Sequence, residues 1–416
     1  MLSFIDLITK FTNFTPSLIF WFIVIGLTII LFNDFVVLPL SLIHDKLQKK
    51  YRLQTFNPLV SVIIPAHNEE KVIGRLIETL LEQTYKKMEI IVVNDGSTDS
   101  TKQVLIPYLK KGKIKLVDIP PPNIGKFGAL NAGIAVSEGS IIVVADADGL
   151  FEKNTIANLV APFENPYVAS VAGNVKVGNR VNLLTKCQAL EYIRDINLPR
   201  RAMDLLDISI VIPGPLSAFR RNAIEAVGIY DGDTVTEDFD LTVKIHKARD
   251  GILFICRNIT NAIVYTEAPE KIKDIIKQRI RWYGGMAQTI KKHLDKKLIW
   301  KSGAYSVIGV PYLIVTLFII PILDLIVTGF SIWVSIIGGF VWILLSYLIY
   351  TILETLTSLL GLLLDREDWR LVAFSPLFVF GYRQLIDMIR IYAFVKSILG
   401  KLGWYRASRY GWHHLK

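Results

Sequence analysis

Apolar residues are concentrated in the two flanks of this chain, whereas its centre alternates between apolar and polar positions. The N-terminal flank contains LIFWFIVIGLTIILFNDFVVLPLSLI, from Leu18 to Ile43, and only Asn33 and Asp34 interrupt it. A helix needs roughly 20 apolar residues to cross a bilayer, so this stretch is long enough. The residues before it are not basic and no small-residue cleavage site follows, which predicts a retained anchor rather than a cleaved signal. The basic cluster HDKLQKKYR comes next and predicts that the following domain is cytoplasmic.

The C-terminal flank contains three further apolar segments, at about 303–327, 331–363 and 371–395, and the last two are separated by DREDWR. Charged side chains occur inside the third segment, where each costs roughly 2.5–3.5 kcal/mol at the centre of a membrane helix. We therefore expect them to face a protein interior or a polar conduit, and the alternative is that this segment lies at the membrane interface. These side chains are Arg383, Asp387 and Arg390.

The location of the C-terminal tail has two interpretations. Its basic residues favour the cytoplasmic side. Counting four membrane spans from an outside N-terminus places the tail outside instead, and the sequence leaves both open. The basic residues are Lys401, Arg406, Arg409 and Lys416.

The central region, about 45–300, predicts strands that alternate with helices. Short β-branched runs such as VSVIIP and SIIVVA are typical of buried strands, and EEKVIGRLIETLLEQ has apolar residues at helical spacing. Alternating strands and helices predict a parallel sheet whose ligands bind beyond the strand C-termini. Three polar clusters, PAHNE, NDGSTDS and DADG, fall at such ends. Further along the chain, helices are expected across 182–206 and 270–297.

Composition narrows the class of partner. The net charge is +10 and 52% of the residues are hydrophobic. The cations concentrate near the apolar segments and in candidate phosphate sites, without a basic groove interleaved with aromatic residues, so nucleic acid is not an expected partner. Cys187 and Cys256 both lie in the central region, where two reduced, buried thiols are expected rather than a disulfide or metal site.

Two aspartates after an apolar strand are the first candidates for chemistry. Asp146 and Asp148 flank one alanine, and paired carboxylates suit Mg²⁺ or Mn²⁺ beside a diphosphate. The alternative is a solvated acidic turn. Asp238 opens a predicted helix in TED, where a carboxylate could deprotonate an attacking hydroxyl or simply cap the helix.

Two glycine-containing motifs follow the same logic. In NDGSTDS, Asp95 could accept a hydrogen bond from a base or ribose, and Gly96 allows close approach; ordinary turn and capping chemistry is the alternative. In GKFGALNAG, Lys126 and the start of a helix suit a phosphate, although a glycine-rich turn would have the same composition.

The sequence QRIRW, from Gln278 to Trp282, lies just before the C-terminal apolar flank. A basic and aromatic collar at the membrane surface is one interpretation. Gln278, Arg281 and Trp282 have i, i+3, i+4 spacing, however, and so share one helical face. Tryptophan stacks on sugar rings and arginine pairs with diphosphate oxygens, which favours a binding site.

In this order the motifs resemble the inverting glycosyltransferases of family 2, and in particular the processive membrane branch of poly-N-acetylglucosamine, hyaluronan and cellulose synthases. The resemblance rests on VSVIIPAHNEE, VVNDGSTDST, GKFGALNAG, DADG, GPLSAFRR, TEDFDLTVKI and QRIRW, over roughly 58–285, and more loosely on the tail GWYRASRYG. It implies an α/β GT-A nucleotide-sugar fold, a Rossmann-like mixed sheet flanked by transmembrane helices.

The resemblance also implies residue roles. Asp238 would be the general base, and Asp148 with Asp146 would hold Mg²⁺ or Mn²⁺. The nucleotide-sugar would be bound by Ala66, His67, Glu69, Asp95, Lys126 and Asp146. The acceptor and diphosphate would be bound by Glu237, Gln278, Arg281 and Trp282. The chain departs from the family at His67, where aromatic residues are usual, and in its single N-terminal span.

The expected organisation is an anchor at 1–44, a cytoplasmic GT-A domain at 45–300, transmembrane or interfacial helices at 301–400 and a basic-aromatic tail at 401–416. The expected function is polymerisation of a UDP-sugar, such as UDP-N-acetylglucosamine, into a β-linked polysaccharide at the plasma membrane. Its partners would be the UDP-sugar donor, a glycan or glycolipid acceptor and the lipid bilayer, and an accessory membrane subunit is left open. The alternatives are a non-processive transferase acting on a polyprenyl phosphate or glycolipid, and a transporter or scaffold with a degenerate transferase domain.

Overall fold

The fold was analysed in a computed structural model that describes residues 36–48, 56–248, 254–295, 303–336, 340–403 and 409–412. Most of the expected N-terminal anchor lies outside these residues. The described chain begins with helix α1, Leu38–Gln48.

A mixed eight-stranded sheet forms the centre of the molecule, in the order β3-β2-β1-β4-β7-β6-β8-β5. The first four strands in that order are parallel, as the alternating pattern predicts. The fifth, β7, is antiparallel to both β4 and β6, so the second half of the sheet departs from a purely parallel arrangement. The strands are β1 Val60–Ala66, β2 Met88–Asp95, β3 Lys115–Ile119, β4 Ile141–Ala145, β5 Leu150–Phe151, β6 Val168–Val177, β7 Leu216–Arg220 and β8 Ile255–Thr266.

Helices cover the faces of the sheet in the first half of the chain and then lead away from it. The helices of the sheet domain are α2 Ile73–Leu81, α3 Thr101–Lys110, α4 Gly125–Ala135, α5 Thr155–Val160, α6 Leu183–Glu191, α7 Leu198–Asp204, α8 Arg221–Ala226, α9 Glu237–Lys247 and α10 Ile272–His293. Those that follow are α11 Val310–Ile314, α12 Ile320–Val334, α13 Phe340–Leu364, α14 Ser375–Leu377 and α15 Arg383–Ile398. A π-helical turn, Tyr192–Asn197, joins α6 to α7, which agrees with the helix expected across 182–206.

The parallel strands explain why the polar clusters of the sequence meet. β1 and β4 are buried along almost their whole length because VSVIIPA and IIVVA are nearly continuous apolar runs. Each strand ends where the chain becomes polar, at Ala66 in β1, Asp95 in β2 and Ala145 in β4. The C-termini of parallel neighbours lie at one edge of the sheet, so the three clusters come together there.

A buried ion pair fixes α10 to the sheet domain. Arg279 of α10 donates to Glu191 of α6 at 2.7 Å, and both side chains are almost fully buried. Tyr382, just before α15, also donates to Glu191, at 2.5 Å. One carboxylate therefore joins the helix that carries QRIRW to the sheet domain and to the C-terminal helices.

Among the described residues, two helices are long and apolar enough to cross a membrane, Tyr305–Trp333 and Ile343–Leu364. The first apolar segment was expected to end at about 327, but its helix continues beyond that position. A single glycine, Gly329, is not enough to end a helix. Many of their large apolar side chains are exposed, for example Val307 by 75% and Leu363 by 57%. Length and composition thus permit two spans, and no more follows from them.

The third apolar segment is not one straight helix. A 3₁₀ turn, α14 and a π-helical turn precede α15, and Gly381 has a φ of +111° that breaks the helical path. Its charged side chains face the protein, as expected. Asp387 is fully buried and pairs with Arg390 at 3.0 Å, and Arg383 contacts Glu354 of α13 at 3.3 Å.

We expect the variant Arg279→Met to be destabilised by about 3–5 kcal/mol, because the carboxylate of Glu191 would stay buried without its cation. A thermal melt of the purified protein measures the loss as a lower Tm. The double variant Glu191→Gln with Arg279→Met removes both charges and should recover part of the deficit. A single variant that melts like the wild type would contradict the assigned role of the pair.

Candidate functional site

One cavity of about 650 Å³ lies at the C-terminal edge of the parallel strands. Every site residue proposed from the sequence lines it. They are Ala66, His67, Glu69, Asp95, Lys126, Asp146, Asp148, Glu237, Asp238, Gln278, Arg281 and Trp282. The cavity continues from this edge to residues of the C-terminal helices, including Leu313, Leu317 and Arg383.

The loops after β1 and β2 form one side of the chamber. The ring Nδ1 of His67 lies 2.6 Å from the carbonyl oxygen of Asp95. One carboxylate oxygen of Asp95 accepts the backbone N–H of Ile124 at 2.8 Å, which holds the loop before α4 against β2. Gly96 has a φ of +61°, and a Cβ there would lie 2.9 Å from the backbone nitrogen of Asn123, so a side chain would clash. This packing holds the loops close together at the edge of the cavity.

Lys126 is the central cation of the chamber. Its Nζ lies 2.6 Å from Asp146 and 3.4 Å from Glu237. Burial opposes the charge of Lys126, but Asp146, Glu237 and Asp238 raise its pKa above the ordinary value. Burial likewise opposes ionisation of Asp146, yet the charge of Lys126 and their hydrogen bond hold the pKa of Asp146 below its usual value. Both groups are therefore charged at neutral pH.

Asp238 differs from its neighbours in its protonation behaviour. Burial and the negative charge of Glu237 raise the pKa of Asp238 above that of an ordinary aspartate. Its Oδ2 accepts the backbone N–H of Gly214 at 3.1 Å, and its Oδ1 accepts the N–H of Phe239 at 2.8 Å. Neither contact is an N-cap, because the N-cap residue of α9 is Thr236 and Asp238 lies within the first turn of the helix. A carboxylate with a raised pKa that is held by two backbone donors suits a general base.

Asp148 is tied to the end of β8 and to the C-terminal tail. Its Oδ2 accepts from the hydroxyl of Thr266 at 2.9 Å and from Arg409 at 2.7 Å. Arg409 also pairs with Glu69 at 3.1 Å. Glu267 then accepts the backbone N–H groups of Tyr410 and Trp412 at 3.0 and 2.7 Å. The described part of the tail, 409–412, thus lies on the same side of the molecule as the chamber.

QRIRW forms the other side of the chamber, on α10. Trp282 is half-buried, and the guanidinium of Arg279 lies 4.1 Å from the centre of its ring. Tyr192 packs beside it with a centroid distance of 6.3 Å. The side-chain oxygen of Gln278 is buried and accepts no hydrogen bond within the described part of the chain. Arg281 is close enough to lower the pKa of both Asp146 and Asp238 by its charge. The helical spacing predicted this shared face.

Asp146 and Asp148 could hold a divalent cation, since carboxylate oxygens at a strand end are its preferred ligands. The guanidinium of Arg409 on Asp148 shows that this carboxylate already attracts a cation. A second acidic group, Asp231, Asp233 and Asp240, has suitable spacing as well. Lys292 contacts all three of those carboxylates at 2.7–2.9 Å, so their charge is already compensated.

Sequence reasoning did not identify three cations of the cavity as site residues: Arg194, Arg200 and Arg409. Arg200 follows Pro199 near the start of α7, and Arg409 is far from the chamber along the chain. The only signal for Arg409 was its place in the tail motif GWYRASRYG, and Arg200 was one of two adjacent arginines in a largely apolar helix.

The sheet is GT-A-like, and comparison with known proteins shows that the chain is a glycosyltransferase. The model of the family "Glycosyl transferase family 2" matches residues 61–228. The Bacillus subtilis protein named "Probable glycosyltransferase YdaM" is 31% identical over 376 residues, which are 86% of this chain and 88% of that protein. The chain belongs to glycosyltransferase family 2.

Two further similarities bear on fold and substrate. The poly-beta-1,6-N-acetyl-D-glucosamine synthase of Staphylococcus epidermidis is 30% identical over 227 residues, 54% of each chain, so the match spans about half of that relative. A mannosyltransferase from Pyrobaculum calidifontis, solved in complex with GDP-Man and Mn²⁺, superposes with a TM-score of 0.62 at 21% identity. The superposition covers 91% of this chain and 99% of that one, which supports the shared fold.

We expect the variant Lys126→Met to lower the Tm most at neutral pH. In the wild type, Lys126 lowers the pKa of Asp146, so the ionised carboxylate stabilises the folded state. This stabilisation is present above about pH 4 and is lost as the pH falls through the lowered pKa. Without the lysine, the remaining carboxylates would repel one another until they bind protons. Melts between pH 8 and pH 5 should show a deficit of about 3–5 kcal/mol that narrows on acidification.

The variant Lys102→Met is the matched control, because Lys102 pairs with Asp118 at 2.6 Å where both side chains are exposed. Such surface pairs contribute about 0–1 kcal/mol, so its Tm should change little. A deficit of the Lys126→Met variant that is independent of pH would contradict the charge assignment.

Proposed function

We propose that this family 2 glycosyltransferase transfers a sugar from a UDP-sugar to a glycan hydroxyl at the cytoplasmic face of the plasma membrane, with inversion, and repeats the transfer to build a β-linked polymer. The observation that carries the proposal is the single cavity that joins Asp146, Asp148 and Asp238 to Trp282 and then to the C-terminal helices. UDP-N-acetylglucosamine is the proposed donor, supported by the similarity to the staphylococcal synthases.

The donor would lie in the half of the chamber formed by the parallel strands. Asp95 and His67 line the part of the cavity where the nucleoside would lie, and Lys126 lies where the diphosphate would follow. Asp146 and Asp148 would hold Mg²⁺ or Mn²⁺. When bound, such an ion supplies positive charge that stabilises the departing diphosphate. Arg281 would add charge that interacts most strongly as the negative charge develops.

The acceptor would lie in the half formed by α10. Trp282 offers the exposed part of its ring to a sugar, and the free oxygen of Gln278 can accept a hydrogen bond from a sugar hydroxyl. Asp238 would take the proton of the attacking hydroxyl, and Glu237 would help to keep its pKa high. Attack from the side opposite the leaving diphosphate inverts the anomeric carbon.

Attachment to a membrane rests on the two apolar helices and their exposed side chains. Both ends of this pair are joined to the sheet domain. Tyr305 stacks on His246 at 3.9 Å, and Asp365 contacts Asn197 at 3.1 Å. The proposed domains remain an anchor at 1–44, the GT-A domain at 45–300, membrane helices at 301–400 and a tail at 401–416. An accessory membrane subunit completing a conduit remains compatible with this arrangement.

A single transfer to a lipid-borne acceptor is the second candidate. The far end of the cavity has apolar walls that include Leu313, Leu317 and Ile320, which would suit a hydrocarbon chain better than a polar glycan. Both candidates use the same donor chamber and the same base.

Purified full-length protein, incubated with a panel of nucleotide sugars and Mn²⁺ or Mg²⁺, should release UDP and yield a long polymer when the product is sized. The variant Asp238→Asn should lose about 10²–10⁴-fold in turnover, the usual contribution of a general base. The variant Asp118→Asn, whose carboxylate pairs with Lys102 outside the cavity, should retain activity. Products limited to one added sugar would contradict the proposal of a polymerase. Full turnover by Asp238→Asn would contradict the role of Asp238 as the general base.

Arg409→Gln should increase the affinity for Mn²⁺, because a metal ion would no longer have to displace a guanidinium from Asp148. The loss of the Mn²⁺ electron paramagnetic resonance signal on binding measures this affinity without turnover. Arg75→Gln is the matched control, since Arg75 holds the tail through the carbonyl oxygen of Trp412 at 3.0 Å. An unchanged or weaker affinity in Arg409→Gln would refute this competition.

A further inference from the structure

Arg200 is a cavity arginine that has no side-chain partner in the part of the chain that the structure describes. Its side chain makes no hydrogen bond or ion pair with any other residue in the described ranges. The neighbouring Arg201 is fully buried and pairs with Asp365. The backbone around Arg200 is fixed, because its carbonyl oxygen accepts from Asn258 at 2.9 Å. Of two adjacent arginines, one therefore serves the structure and the other is available to a ligand.

The position of Arg200 is on the acceptor side of the chamber. The charged or polar groups that act on it are Asp238 and Tyr192, and Tyr192 packs beside Trp282. Burial lowers the pKa of Arg200 to about 10, so the side chain stays cationic at neutral pH. The cations acting on Asp146 are instead Lys126, Arg409 and Arg281. The donor carboxylates already have their cations, and Arg200 is available to an anion of the acceptor.

Much of the remaining lining of the cavity is apolar, and the other arginines there, Arg194, Arg383 and Arg390, pair with acidic residues. Leu198 precedes Arg200 on the same helix, and α1 packs against this helix with Val37 and Leu38. The helix Tyr305–Trp333 supplies the opposite wall. The apolar side chains lining this arm are Val37, Leu38, Leu198, Leu313, Leu317 and Ile320. A half-buried cation that lines a cavity with both polar and apolar walls matches an amphiphile whose headgroup is anionic.

We propose that Arg200 binds the phosphate of a lipid-linked sugar, whose hydrocarbon chain lies along the apolar arm and whose sugar reaches Asp238. This rests on the proposed glycosyltransferase function and names the class of its acceptor. The sugar hydroxyl loses its proton to Asp238, its oxygen bonds to the anomeric carbon of the donor, and the bond from that carbon to the diphosphate breaks. UDP leaves with that electron pair. The same lipid-linked sugar would serve as the primer of a polymer or as the acceptor of a single transfer.

Binding of simple probes tests the site without turnover. Purified full-length protein in nanodiscs of zwitterionic lipid is titrated with farnesyl phosphate, with farnesol and with inorganic phosphate. We expect farnesyl phosphate to bind more tightly than either of the others, because only it fills the arm and reaches Arg200. The variant Arg200→Gln should weaken farnesyl phosphate about tenfold to a hundredfold, the range of a charge-assisted hydrogen bond, and leave farnesol unchanged. Arg200→Lys should retain part of the affinity.

Arg257→Gln is the matched control, because Arg257 contacts the carbonyl oxygen of Asp204 at the end of the same helix but does not line the cavity. It should bind farnesyl phosphate like the wild type. The proposal is overturned if farnesol binds as tightly as farnesyl phosphate, if inorganic phosphate alone accounts for the affinity, or if Arg257→Gln weakens binding as much as Arg200→Gln.

UDP release separates this inference from the proposed function. If the protein releases UDP from a donor but Arg200→Gln binds farnesyl phosphate normally, the transferase function stands and the acceptor site is wrong. If no nucleotide sugar is turned over while the phosphate-dependent binding is present, the lipid site stands and the transferase function fails. In turnover, Arg200→Gln should raise the KM for a phosphate-linked lipid acceptor and leave the KM for the donor unchanged.

Discussion

The carboxylate of Glu191 is the contact on which the arrangement of this molecule depends. It lies at the end of α6 and accepts from Arg279 on α10 and from Tyr382 before α15. Arg279 in turn packs on the ring of Trp282. A buried charge is costly without a partner, so these three elements are held in one relative position. The donor half of the chamber belongs to the sheet and the acceptor half to α10, and Glu191 sets the distance between them.

Local features of the sequence predicted much of the fold. β1, β2 and β4 are short apolar runs that end in polar residues, and such runs specify strands and their buried faces without knowledge of distant contacts. The shared face of Gln278, Arg281 and Trp282 followed from helical spacing alone. The resemblance implied a mixed sheet, but local features did not identify β7 as its antiparallel strand, because the direction of β7 depends on how the 70 residues after β4 return to the sheet. The break at Gly381 was also missed, since a glycine can lie within a helix or end one.

The site residues that were missed are those whose position depends on tertiary structure. Arg409 reaches Asp148 across 261 positions of sequence. Its place in the tail motif GWYRASRYG is its only signal in the sequence. Arg200 and Arg201 are indistinguishable in composition, and only the fold separates them, because one side chain turns to Asp365 and the other to the cavity. Strand-end acids are easier to predict because the sheet topology brings them together.

The attachment of the two apolar helices to the sheet domain has a mechanical consequence. The pair begins beside Tyr305, which is stacked on His246 of α9, and ends at Asp365, which is bound by side chains of α7 and β6. Both ends are therefore attached to the body that holds the chamber. If these helices stand in a bilayer, the chamber is kept at a fixed height and tilt above its surface. A membrane-borne substrate would then have to extend from the bilayer to the chamber, because the chamber would not move toward the bilayer.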